Sequence, residues 1–235
     1  MPDPILKLDG LDAFYGDFQA LYKVSISISQ GETTAIIGAN GAGKSTLLRS
    51  IAGLIDNQAH QIEFKSKSIG ATRPDLVAKL GVALVPEGRQ LFPSLSVEEN
   101  LLLGGQMGRS GPWSLQTIYD LFPILRERRA QASTSLSGGQ QQMVAIGRAL
   151  MSNPELILFD EISLGLAPVI IKSIYDALPE IVGERLSAII VEQDITKALS
   201  VSDRVYCLQE GRVSLEGRTG SVSPEQISHA YFGVS

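Results

Sequence analysis

The chain has 235 residues, 44% of them hydrophobic, which suffices for one large domain or two small ones around a sizeable buried core. With 20 Lys and Arg against 25 Asp and Glu, the net charge of -5 excludes the basic footprint of a nucleic-acid binder. The single cysteine, Cys207, excludes an internal disulfide; its apolar run from Val205 to Leu208 reads as inert core in a reducing compartment.

Met1 to Gly10 carries no basic-then-apolar leader pattern, and no stretch approaches the ~18 apolar residues that cross a bilayer. Val24 to Ser29 alternates apolar and polar residues and predicts a half-buried strand. Thr33 to Ile37 predicts a buried strand, followed by a glycine loop and a helix over Lys44 to Ala52. Val82 to Val85, Leu156 to Phe159 and Ala188 to Val191 are short, nearly continuous apolar runs, the pattern of parallel strands covered on both faces. Between them, roughly residues 88 to 152 lack strong strand signals and read as a helical insert. Within it, Ser96 and Glu99 form a capping box ahead of Leu101 to Leu103. Pro168 opens a helix toward Leu178, and Glu210-Gly211 separates two alternating runs as a hairpin turn. The elements add up to an α/β core with an antiparallel edge region and a helical subdomain.

The chemistry is concentrated in three segments. Gly38-Ala39-Asn40-Gly41-Ala42-Gly43-Lys44-Ser45 fits G-x-x-x-x-G-K-[ST], with a strand before it and a helix after it, and the next residue, Thr46, is counted with the cofactor-binding loop. Glycines let backbone N–H groups turn inward around phosphate oxygens, and a helix N-terminus favours an anion. Lys44 supplies a point charge to the outer phosphates and Ser45 a hydroxyl to Mg²⁺. In the second segment, Leu156 to Phe159 ends in Asp160 and Glu161. Asp160 suits Mg²⁺, and Glu161 suits the general base that takes a proton from attacking water. In the third, Leu136-Ser137-Gly138-Gly139-Gln140 precedes a helical pattern, with Ser137 as its cap.

In this order and spacing the three segments resemble the ATP-binding subunits of ABC transporters over nearly the whole chain. The resemblance implies a single ABC ATPase domain over residues 1–235: a P-loop NTPase (RecA-like) core, an antiparallel β-subdomain and an α-helical subdomain. It implies ATP and Mg²⁺ as cofactors, and a homodimer or heterodimer of two such subunits in which Ser137, Gly138, Gly139 and Gln140 of one copy cover the ATP on the other's Gly38–Thr46 loop. It also implies polytopic permease partners, a cytoplasmic position on the inner face of the membrane, and Tyr15 as the aromatic stacked on adenine.

Val85-Pro86-Glu87-Gly88-Arg89, Ser163-Leu164-Gly165-Leu166-Ala167-Pro168 and Val191-Glu192-Gln193-Asp194 are similar to the branched-chain amino acid uptake ATPases. Urea importers are the alternative in this subgroup. Glu87 stands where most of the family has a glutamine and can still offer oxygen to Mg²⁺. Gln193 replaces the usual switch histidine, as a γ-phosphate donor that cannot carry a proton. Ala167 replaces an aspartate and Ile162 a proline. A weakly hydrolysing regulatory module is a third reading, opposed by the Asp160-Glu161 pair. The segment Arg89 to Leu95, with Leu91, Phe92 and Leu95, is the expected dock for the membrane partner.

Overall fold

The computed structural model describes residues 4–183 and 185–232. The chain opens with a long hairpin, β1 (Leu6–Tyr15) and β2 (Phe18–Ile28), where only Val24 to Ser29 was legible as strand. The reason is a bulge: Leu8 pairs with Ile26 but Leu11 with Val24, so Asp9-Gly10 carries one residue more than the opposing strand. Leu8 and Leu11 are thereby both buried three positions apart, which breaks the period-2 signal. The short strands β4 (Ile62–Phe64) and β5 (Lys67–Ser68) complete a four-stranded antiparallel sheet, in the order β2-β1-β4-β5.

Between those pairs run β3 (Thr33–Ile37) and α1 (Lys44–Ile51). Then come α2 (Pro74–Leu80), opened by its proline and ended at Gly81, and β6 (Val82–Val85). The segment up to the next strand is helical: α3 (Val97–Gly105), α4 (Leu115–Leu121), α5 (Pro123–Glu127) and α6 (Gly138–Leu150). The chain continues through β7 (Leu156–Asp160), α7 (Pro168–Val182), β8 (Ser187–Val191) and α8 (Ile195–Ser200). It closes with the hairpin β9 (Arg204–Gln209) and β10 (Arg212–Arg218), and α9 (Pro224–Phe232). Glu210 and Gly211 both take positive φ, as a two-residue turn between twisted strands requires.

Among the described residues the second sheet has six strands in the order β10-β9-β3-β8-β7-β6, parallel except for β10. Its central strands alternate between two cores. Leu156, Leu158, Ile189 and Val191 point to the side of the antiparallel sheet and α1. Ile157, Phe159, Ala188 and Ile190 point to α6 and α7. Burial on both faces is why these strands read as unbroken apolar runs. β3 divides likewise, Ile36 toward the first core and Ala35 and Ile37 toward a third under α8 and α9.

The loop entering α3 is organised by Asn100, which is fully buried. Its Oδ1 accepts from the Phe92 backbone at 2.9 Å, and its Nδ2 donates to the carbonyls of Phe92 (3.1 Å) and Ser96 (2.9 Å). The predicted apolar cluster in this loop therefore divides. Phe92 is 51% exposed, under the Arg148 guanidinium at 5.7 Å, while Leu91 packs onto the helical core.

Candidate functional site

The loop between β3 and α1 lies at the C-terminal end of the parallel strands, where ligands of open α/β sheets bind. At Gly38 a Cβ would fall 2.3 Å from the carbonyl oxygen of Leu208 on β9, so only glycine lets the loop turn against that strand. Lys44 opens α1 with its ammonium folded back under the loop, 4% exposed, donating to the carbonyls of Gly38 at 2.8 Å and Ala39 at 3.1 Å. Burial lowers its pKa, against the raising influence of Glu161 and Asp160.

Ser45 Oγ donates to Asp160 Oδ1 at 2.8 Å, joining the first turn of α1 to the end of β7. Asp160 is 2% exposed. Burial raises its pKa, and the Glu161 and Glu87 carboxylates add to the rise while Ser45 opposes it. Glu161 follows at φ 49, with Oε1 3.8 Å from Lys44 Nζ and Oε2 accepting from Gln193 Nε2 at 2.7 Å. Its backbone N–H donates to Val191 at the end of β8.

Lys44, Ser45, Glu161 and Gln193 face one open cleft of about 890 Å³, also lined by Asn40, Gly41, Gly43 and Thr46, while Asp160 lies buried behind Ser45 and is not on its wall. Glu87, just past β6, reaches the same cleft, and Tyr15 closes one end, half-exposed, its hydroxyl 3.4 Å from Thr46 Oγ1. Gly38, Ala39 and Ala42 are not on the cleft wall: the first two hold Lys44, and Ala42 is buried and accepts from the Gly211 backbone. Seven wall residues were not read as site residues in the sequence: Phe18, Gln19, Ala20, Tyr22, Leu164, Glu210 and Gly211. Phe18 is 68% exposed beside Tyr15, and Gly211 belongs to the β9–β10 turn. The dipeptide Gly16-Asp17 between two aromatics was the available signal for the first.

Ser137 to Gln140 do not line this cleft. They form the start of α6, where Gln140 N donates to Ser137 Oγ at 3.4 Å and Ser137 N to Gln140 Oε1 at 3.1 Å. At Gly139 a Cβ would lie 2.3 Å from Ile170, so the glycine seats α6 directly on α7. Ile162, unusual after the Asp-Glu pair, is 1% exposed in the helical-side core, and that apolar packing accounts for it.

The fold and this site define a P-loop nucleotide-binding protein. Residues 21–163 match the family described as ABC transporter. The high-affinity branched-chain amino acid transport ATP-binding protein BraG of Pseudomonas aeruginosa is 40% identical over 233 residues, spanning 97% of this chain and 100% of that protein. A probable branched-chain amino acid transport ATP-binding protein, LivF of Archaeoglobus fulgidus, is 33% identical over 97% of this chain and 96% of its own length. The crystal structure of a nucleotide-free ATP-binding cassette from an ABC transporter superposes with a TM-score of 0.80 at 30% identity, covering 97% of this chain and 94% of that one. A dimeric post-hydrolysis cassette bound to ADP and Pi gives 0.81 at 27% identity, covering 91% and 98%. The chain belongs to the ABC transporter family, as an ATP-binding and ATP-hydrolysing subunit. No helix among the described residues is long and apolar enough to cross a membrane.

Proposed function

We propose that this subunit powers an importer of branched-chain or other neutral amino acids, from the cytoplasmic face of the membrane and through permease partners. The observation that carries the ATPase reading is the convergence of Lys44, Ser45 and the Glu161–Gln193 pair on one cleft, with Asp160 bonded to Ser45 just behind its wall. The amino-acid assignment is supported by near full-length similarity to a branched-chain amino acid transport protein. Residues 1–235 then act as one ATPase domain, with residues 88–152 as its helical subdomain.

Each residue takes a role its surroundings suit. Lys44 holds the outer phosphates, and backbone N–H groups of the loop around Gly41 and Gly43 hold the rest. Tyr15 stacks on the base. Mg²⁺ fits the donor set: Asp160, Glu161 and Glu87 put three carboxylates against one ammonium, and burial with like charge has raised the Asp160 pKa. Ser45, Asp160 and Glu87 would hold the ion, which supplies neutralisation of phosphate charge when bound. Glu161 takes the proton from the attacking water, and Gln193 orients that carboxylate and donates toward the γ-phosphate. Ser137, Gly138, Gly139 and Gln140, away from the cleft of their own chain, cover the ATP of a second subunit.

Copurification with the membrane subunits, reconstitution in vesicles and a solute screen test the proposal. ATP-dependent uptake of a branched-chain amino acid supports it; uptake of urea alone, or nucleotide binding without turnover, overturns it.

A further inference from the structure

Glu192 is a buried acid with no part in the reaction as described above. It follows the last residue of β8, precedes Gln193 and is 2% exposed. Both of its carboxylate oxygens accept from one residue. The Ser163 backbone N–H donates to Oε1 at 3.1 Å, and the Ser163 hydroxyl donates to Oε2 at 2.8 Å. Ser163 lies 29 residues away in sequence but only two past Glu161, in the turn that leaves β7. Burial raises the Glu192 pKa, and the Ser163 bonds oppose the rise. The solvent-shielded Tyr175 hydroxyl on α7 faces the same carboxylate.

We propose that Glu192 is a positioning residue for ATP hydrolysis, which fixes the turn after Glu161 through Ser163 so that Glu161 and Gln193 stay aligned. The tie is one of a series between the segments that follow β7 and β8. Glu161 N–H donates to the Val191 carbonyl at 3.0 Å, Ser163 donates twice to Glu192, and Gln193 donates to Glu161 at 2.7 Å. The series is needed because Glu161 sits at φ 49, a conformation that L residues other than Asn and Asp seldom hold unaided. The carboxylate offers Ser163 two acceptors at once, and a side chain without polar atoms at position 192 would leave the Ser163 N–H and hydroxyl without this partner. In a buried site that loss is not relieved by water.

The inference rests on Glu161 as the base, and the test separates the two. Steady-state ATPase rates are measured on the full chain with its permease, for the native protein, E192A, S163A, the E192A/S163A double variant, S163T and E161Q. Native-like thermal midpoints are required of each variant compared. E192A and S163A are each expected to lower kcat about tenfold while KM for ATP changes by less than about twofold. The double variant should be no slower than the slower single one, because both remove the same link. S163T keeps the hydroxyl and should recover most of the native kcat. Turnover within about twofold of native in S163A, full additivity in the double variant, or no rescue by threonine overturns the proposal. If E161Q turns over normally, the reading of the base fails and this proposal falls with it; if E161Q is inactive while S163A is native, the positioning role alone fails.

Discussion

Gln193 Nε2 donates to Glu161 Oε2 across 2.7 Å, while Oε1 of the same carboxylate lies 3.8 Å from Lys44 Nζ. If Gln193 stands in place of a switch histidine, as proposed, the position carries an amide, which does not titrate. The native protein should show no step from position 193 in its rate profile between about pH 6 and 8. Gln193→His should introduce one near pH ~6.5, where imidazole changes charge. Gln193→Ala should lower kcat about tenfold or more with a smaller effect on ATP affinity. Steady-state pH series on the three proteins check this; superimposable profiles would detach Gln193 from the reaction.

Glu161→Gln removes the carboxylate proposed above as the base but keeps the shape, and Gln193 can still bond its remaining oxygen. Turnover should fall ~10²-fold or more with ATP binding retained. If two copies pair around ATP and hydrolysis separates them, as proposed, the ATP-bound pair of this variant should persist on size-exclusion chromatography.

Lys44→Ala deletes an ammonium that is almost fully buried and held by two loop carbonyls. The charge-assisted bonds it offers to phosphate have no substitute nearby, so affinity for ATP with Mg²⁺ should fall at least ~10-fold. Nucleotide titration by calorimetry reads this directly, and near-native affinity would refute the role given to Lys44.

Glu155, far from the cleft, bridges Lys65 at 2.6 Å and Arg109 at 2.7 Å, linking the antiparallel sheet to the helical segment. Burial pushes its carboxyl up, but the two cations outweigh it and the pKa ends below the ordinary value. A depressed carboxyl pKa stabilises the fold above the unfolded-state value and loses that contribution as pH falls through the folded one. Glu155→Gln should therefore cost about 1 kcal/mol at pH 7, and less as acidity increases below about pH 4.3. Urea denaturation at pH 7 and at successively lower pH should show native and variant converging.

Phe92 is exposed while its backbone is pinned by Asn100 and Ser133. Phe92→Asp should therefore leave the fold and ATP binding intact and reduce recovery of the permease complex by about tenfold or more, the loss expected when a central aromatic contact becomes a charge. Undiminished copurification would remove this loop from the interface.

What could be read in advance follows from how local each signal is. The phosphate loop was complete in the sequence because its chemistry depends on adjacent residues with fixed spacing. β7 and β8 were visible because both their faces are buried. β1 was hidden by its bulge, and β4 and β5 by being only three and two residues long. Phe18 was missed with the extra length of its strand. The Ser163–Glu192 link left no local trace, since its partners meet only when two parallel strands end side by side.

Cys207 has a practical consequence. The chain's one cysteine is fully buried on β9 beside Ile37 of β3, with its thiol pKa raised by that burial. A maleimide or disulfide reagent in the medium therefore meets no exposed native thiol on this chain, and a single new cysteine reports for itself without any prior cysteine removal. Asn40 and Ser137 are both exposed in the isolated chain, so cysteines introduced there would let covalent trapping of the purified subunit report whether, and how fast, two copies pair head to tail around ATP as proposed.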